Sequence, residues 1–216
     1  MHKEKKNTLV FWILSIVGIL LLTWGMVSLA RNNDNNPGNI NTEVKINDQV
    51  KGNPDAALTI IEYSDFQCPA CSTYYALVNQ LVEELGDQVK VIYRHFPLDS
   101  IHPYAETAAQ VAEAAGLQNK FWEMHDLLFE NQEIWSASRN PDQTFLDFAT
   151  QLELDLEKFQ SDLDSDAVKD KIKQDVRSAN QAKVNSTPSF FVNGTKISNP
   201  RSYNQFKNDI LQFQNQ

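Results

Sequence analysis

Hydrophobic positions change their spacing several times along the chain, and each change marks a candidate element. From Leu9 to Ala30 there are 22 residues without a charge, and about 20 apolar residues suffice for a helix to cross a bilayer. Lys3, Lys5 and Lys6 precede this run, and Trp12 and Trp24 lie toward its two ends, where indoles favour the membrane interface. The pattern predicts a basic cytoplasmic N-terminus over 1–8 and a transmembrane signal-anchor over 9–30. Everything after it would face the extracytoplasmic side. Ser28-Leu29-Ala30 also offers the small residues that a signal peptidase accepts, so a cleaved signal is the competing reading. Either way the remainder is exported. Residues 31–42, RNNDNNPGNINT, contain six Asn and a Pro-Gly and read as a flexible linker, on the order of 20 Å in span.

Beyond residue 42 the pattern alternates between strand and helix. Leu58–Tyr63 is rich in β-formers and reads as a strand. Cys68 to Gly86 reads as a helix, with Tyr75, Val78, Val82 and Leu85 on one face and Gly86 placed to end it. Val89–Arg94 is a second strand, so a β–α–β unit with parallel strands is expected. From 103 to about 184 strand signals are absent. Amphipathic patterns over 104–115, 120–131, 142–152 and 166–183 predict an all-helical block. Ser189–Val192, then Asn193-Gly194, then Thr195–Ile197 is a hairpin signal, because Asn-Gly accepts the positive φ angles of a type I′ turn. Residues 200–214 read as a closing helix. The expected architecture is α/β, a β–α–β half and a β–β–α half separated by helices, in one domain over 43–216.

Charge and composition narrow the function. The chain of 216 residues has a net charge of −9, and residues 1–42 alone carry +2, which leaves −11 on the exported part. An acidic domain gives no electrostatic reason to bind nucleic acid. The run from Glu153 to Asp170 reads as a solvated acidic face.

The two cysteines of the chain, Cys68 and Cys71, stand three positions apart at the strand–helix junction IIEYSDFQCPACSTYY. Cys68 falls at the helix N-cap, Pro69 in the first turn where its missing N–H costs nothing, and Cys71 one turn in on the same face. That spacing permits a disulfide without refolding the backbone. Cys68 would meet unpaired amide N–H groups and the positive end of the helix dipole, which lower a thiol pKa. Cys71 would be shielded. A redox pair is therefore expected, with no cofactor. Half of a zinc site is the alternative, but zinc needs two more ligands, and His95 and His102 are separated by six residues rather than three to five. His95, His102 and His125 read as packing or surface residues, and Trp122, Trp135, Phe121 and Phe129 as core or groove-lining aromatics.

With EYSDFQCPAC after a strand, a helical insertion, and NSTPSFFVNG before the last hairpin, the chain resembles the DsbA-like branch of the thioredoxin superfamily over about residues 50–214. The resemblance implies a thioredoxin fold with its helical insertion, and thiol–disulfide exchange by Cys68 and Cys71. It implies a cis Pro188 beside the cysteines, with Thr187 offering backbone groups to an extended substrate. It also implies that Glu62, six residues before Cys68, accepts a proton from the inner cysteine through water. The Pro-Ala between the cysteines lacks the histidine of the best-known oxidases, which implies a less stabilised thiolate. The expected role is disulfide formation in exported, cysteine-containing proteins by a monomer anchored in the cell membrane and recycled by a membrane redox partner. A reductase or isomerase, or a peptide-binding adaptor, are the alternatives.

Overall fold

The computed structural model describes residues 16–19, 23, 40, 44–45 and 47–215. The chain divides into two compact units, Met1–Pro37 and Gly38–Gln216. In the first, residues 16–19 and Thr23 are helical. The expected basic terminus over 1–8, the rest of the anchor over 9–30 and most of the linker over 31–42 lie outside the described residues. Among the described residues, no helix is long and apolar enough to cross a membrane.

In the second unit the chain runs through β1 (Gln49–Gly52), β2 (Leu58–Ser64), α1 (Pro69–Leu85), β3 (Val89–His95), α2 (Ala105–Gly116), α3 (Phe121–Glu130) and α4 (Gln132–Ser136). It continues through α5 (Asp142–Gln151), α6 (Leu156–Leu163), α7 (Asp166–Gln181), β4 (Ser189–Val192), β5 (Thr195–Lys196) and α8 (Tyr203–Leu211). The sheet order is β1-β3-β2-β4-β5. β2 and β3 pair in parallel from Leu58↔Val89 to Ser64↔His95, while β1, β4 and β5 join antiparallel. This is a thioredoxin-type α/β fold with a helical insertion between β3 and β4.

The two central strands are buried on both faces, which is why they read as continuous apolar runs. Ile60, Val91, Phe190 and Val192 pack against Val78 and Leu81 of α1 and Phe206 and Ile210 of α8. Ile61, Tyr63, Ile92 and Phe191 pack on the opposite face against Ala179 of α7. Gly86 ends α1 at φ +48, and Asn193 and Gly194 turn at φ +45 and +85, as an Asn-Gly hairpin requires. Ile40, in the region read as linker, donates its N–H to Gly194 O at 2.8 Å and packs on the Ile61 face. The compact unit thus starts before residue 43.

Three elements depart from the sequence pattern. β1 is four residues long with no apolar alternation, and it forms by adding to the β3 edge. The acidic run expected to be a solvated face contains α6, which buries Phe159 completely. α4 is a single short turn, too brief for periodicity to register.

A buried ionic network fixes the insertion to the sheet. Arg94 Nη2 and Nε donate to the two oxygens of Asp48 at 2.8 and 3.2 Å. Lys171 Nζ of α7 lies 2.5 Å from Asp175, 3.9 Å from Asp48 and 4.0 Å from Glu113 of α2. His95 Nε2 contacts Glu113 at 2.8 Å, and the His95 N–H donates to Asp175 at 3.0 Å. Lys171 and its three carboxylates are almost wholly buried. Removing one partner from such a cluster leaves uncompensated buried charge, which costs roughly 3–5 kcal/mol. Lys171→Met is therefore expected to lower the urea unfolding midpoint by a free energy of that order. A midpoint within experimental error of the unsubstituted chain would contradict this reading of the network.

Candidate active site

The turn from β2 into α1 is held from several sides. Asp65 accepts the Gln67 N–H at 2.8 Å, the Leu98 N–H at 3.0 Å and a contact from His102 Nδ1 at 2.6 Å. The Gln67 side-chain oxygen accepts the Tyr104 N–H at 2.7 Å. The Cys68 N–H donates to Asp65 O at 3.1 Å. Cys68 is the N-cap of α1 in extended conformation and Pro69 follows in the first turn. The first orphan N–H groups of the helix are thus left for the Cys68 side chain.

Both cysteines are free thiols. Cys71 is fully buried and Cys68 is 8% exposed, at the edge of the core. Their environments drive the two pKa values apart. A hydrogen bond from the Cys71 thiol, above all, brings Cys68 down to about 5 against the desolvation that opposes it. Thr187 and the backbone groups of Cys71 and Ala70 add to the stabilisation. Burial pushes Cys71 well above the ordinary thiol value, and the neighbouring Cys68 and Glu62 charges push it further. The expected loss of stabilisation from the missing histidine is therefore offset by hydrogen bonds made within the first turn of α1.

The remaining sequence-predicted residues converge here. The Thr187–Pro188 bond is cis, and Cys68 Sγ lies 3.6 Å from Thr187 O. Glu62 is not a solvated strand-face residue: it is 4% exposed, within electrostatic reach of Cys71, and burial raises its pKa to about 7 although Ser64 lowers it.

Sequence reasoning passed over the residues that line this floor. Tyr93 pairs with Glu62 across β2 and β3, is fully buried, and is kept neutral by desolvation and by the Glu62 and Cys71 charges. Ser64 Oγ, Tyr93 OH and Thr187 Oγ1 are buried without a partner at hydrogen-bonding geometry, so polar atoms surround the two thiols. Asp65 and Gln132 hold the turn itself. The position of Asp65 three residues before Cys68 was a usable signal; Gln132, 61 residues past Cys71, carried none. His125 packs edge-on among Phe66, Tyr93, Trp122 and Phe129, and burial lowers it to about 4. Among the described residues no cluster suits a metal ion.

Comparison with known proteins agrees with this geometry. Residues 45–211 match the thioredoxin family. A thioredoxin-like oxidoreductase from Silicibacter pomeroyi DSS-3 superposes with a TM-score of 0.69 at 27% identity, over 80% of this chain and 95% of that one. Wolbachia pipientis alpha-DsbA1 gives 0.68 at 25% identity, over 78% and 92%. BdbD from Bacillus subtilis gives 0.69 at 22% identity, over 81% and 97%, a likeness of fold. A Na(+)/H(+) antiporter NhaA 3 from Salinispora tropica is 40% identical over 153 residues, which is 71% of this chain and 22% of that protein. The chain spans about a fifth of the length of the curated relatives it matches. It belongs to the thioredoxin superfamily, among its DsbA-like thiol–disulfide oxidoreductases.

Two titrations follow from the site. The Cys68 thiol is depressed from about 9 to about 5 in the folded, reduced protein. Its contribution to stability is complete above about pH 9, is partly lost as pH falls, and disappears below about pH 5. The oxidised protein has no such thiol, so the stability advantage of the reduced form at pH 7 should shrink steadily toward pH 5 in paired urea titrations. A pH-independent difference would contradict the assignment. Glu62 has the opposite sign: its folded value is raised from 4.5 to about 7, so it destabilises increasingly from pH 4.5 to 7 and fully above 7. Glu62→Gln is expected to stabilise the protein at pH 8 by roughly 3 kcal/mol, with the gain vanishing below pH 4.5.

Proposed function

We propose that this oxidoreductase forms disulfides in exported, cysteine-containing proteins, working outside the cytoplasm from an anchor over residues 9–30. The observation that carries the reading is the split between the thiols, Cys68 near 5 and Cys71 far above the ordinary range. A thiolate of low pKa is a good leaving group, and its stabilisation in the reduced form makes the disulfide oxidising.

In the proposed cycle the oxidised pair meets a substrate thiolate, which attacks Cys68 Sγ. The Cys68–Cys71 bond breaks, its electron pair leaves on Cys71, and a mixed disulfide forms between Cys68 and the substrate. Cys71, whose burial disfavours a charge, takes a proton for which Glu62 is the donor. At about 7, Glu62 can hold or release a proton near neutral pH. A second substrate thiolate then attacks the substrate sulfur of the mixed disulfide. The substrate disulfide forms, and Cys68 leaves as a thiolate, held by the α1 N-terminus. The substrate is oxidised by two electrons and the enzyme pair is reduced. A membrane redox partner removes those electrons, and Glu62 accepts the Cys71 proton on the return. Thr187 and Pro188, beside the Cys68 sulfur, are assigned to holding the substrate segment in extended form.

A trapping experiment tests the reading. In cells, Cys71→Ser should accumulate mixed disulfides between Cys68 and exported proteins, and Cys68→Ser should accumulate none. Exported proteins that stay fully oxidised when the gene is deleted, with no trapped species, would overturn the oxidase assignment. An adaptor would keep its binding in Cys68→Ser.

A further inference from the structure

Outside the cysteines and their immediate neighbours, a side chain of the helical insertion reaches the backbone of the active-site turn. Gln132 is the first residue of α4, inside the helical insertion. It is 6% exposed. Its Nε2 donates to Phe66 O at 2.6 Å and to Cys68 O at 2.9 Å. A carboxamide nitrogen carries two hydrogens, and here each meets one backbone carbonyl. Both partners are acceptors, so only the NH2 end of the amide fits there and its orientation is fixed.

The two carbonyls flank the turn that sets Cys68. Cys68 O also accepts the Ser72 N–H, at 3.3 Å. Gln132 itself cannot drift, because α4 is pinned by Trp135. Trp135 is wholly buried, donates its Nε1–H to Leu128 O at 2.7 Å and packs against Phe145 at 5.5 Å. Phe66, whose carbonyl Gln132 holds, stacks on Tyr93 and packs at a tilt against Phe129, with ring centroids 5.0 Å away in each case. A rigid part of the insertion thus grips the backbone on both sides of Gln67.

We propose that Gln132 is a positioning residue for the Cys68–Cys71 pair, through which the helical insertion sets how the Cys68 sulfur meets the first N–H groups of α1. The proposal rests on the reading of Cys68 as the sulfur that a substrate thiolate attacks and that later leaves as a thiolate. Without the two donors, Phe66 O loses its Gln132 partner within the buried turn, and the turn relaxes to satisfy it. The Cys68 sulfur then loses its alignment with the Ala70 and Cys71 amides, which together stabilise its charged form. This weakens the thiolate.

The test uses the full chain in reduced form. Gln132→Met keeps the length and buries as well but has no donor. Gln132→Asn keeps the amide and withdraws it by one methylene. The rate of Cys68 alkylation by iodoacetamide is measured from pH 3 to pH 8, together with exchange against glutathione and thermal unfolding. In Gln132→Met the alkylation rate at pH 4 is expected to fall about tenfold and the titration midpoint to rise by about one pH unit, with Gln132→Asn in between. If the substituted chains unfold earlier but alkylate and exchange as the unsubstituted chain does, Gln132 is only a structural residue and the proposal falls. If Gln132→Met does not fold, Gln132→Asn decides by the same midpoint. If the unsubstituted chain itself shows no acid-shifted thiol, the reading of the site fails, and the positioning role fails with it.

Discussion

At the start of α1 the Cys71 thiol, with the Cys71 and Ala70 backbone groups added, stabilises a negative charge on the Cys68 sulfur, while Cys71, one turn further in, is sealed from water. The site depends on that difference. A helix N-terminus favours a negative charge and a dry interior rejects one, so one turn of helix gives two identical side chains opposite tendencies. The Cys71 thiol, held protonated by burial, becomes the donor that stabilises its neighbour.

Such a turn has to be delivered accurately, and most of the fold serves this. The parallel β2–β3 pair ends at the site and places Glu62, Ser64 and Tyr93 beneath it. β4 brings Thr187 and Pro188 alongside. Asp65 binds Leu98 and His102 of the loop into the insertion and, through the Gln67 N–H, ties that loop back to the turn. On the other face of the sheet, Arg94, Asp48, Lys171, Asp175 and Glu113 lock the same insertion in place. Charges buried that deeply add little net stability. Their directional contacts do fix where α2 and α7 sit on the sheet.

Sequence reasoning reached the strand–helix junction, both cysteines, the hairpin and the cis proline region for definite reasons. β2 and β3 are buried on two faces and α1 is amphipathic over four turns, so their patterns are strong. Asn193-Gly194 has its own conformational signature. β1 was invisible because its strand character comes from pairing with β3 and not from its residues. α6 was hidden because acidic residues surround a single buried Phe159. Glu62 was identified through family likeness; what the sequence could not supply was its burial, and with it the raised pKa. Tyr93 looked like an ordinary strand residue, since only the β2–β3 register brings it to Glu62. Gln132 had no local signature at all: its contacts are with carbonyls more than sixty residues earlier.

The central claim is that the reduced pair is stabilised by its thiolate enough to make the disulfide a donor. Equilibration of the Cys68–Cys71 pair against glutathione measures this directly. The account predicts a reduction potential toward about −120 mV, the range of strong disulfide donors. A potential near about −270 mV, where thioredoxin stands, would contradict it and make the protein a reductant.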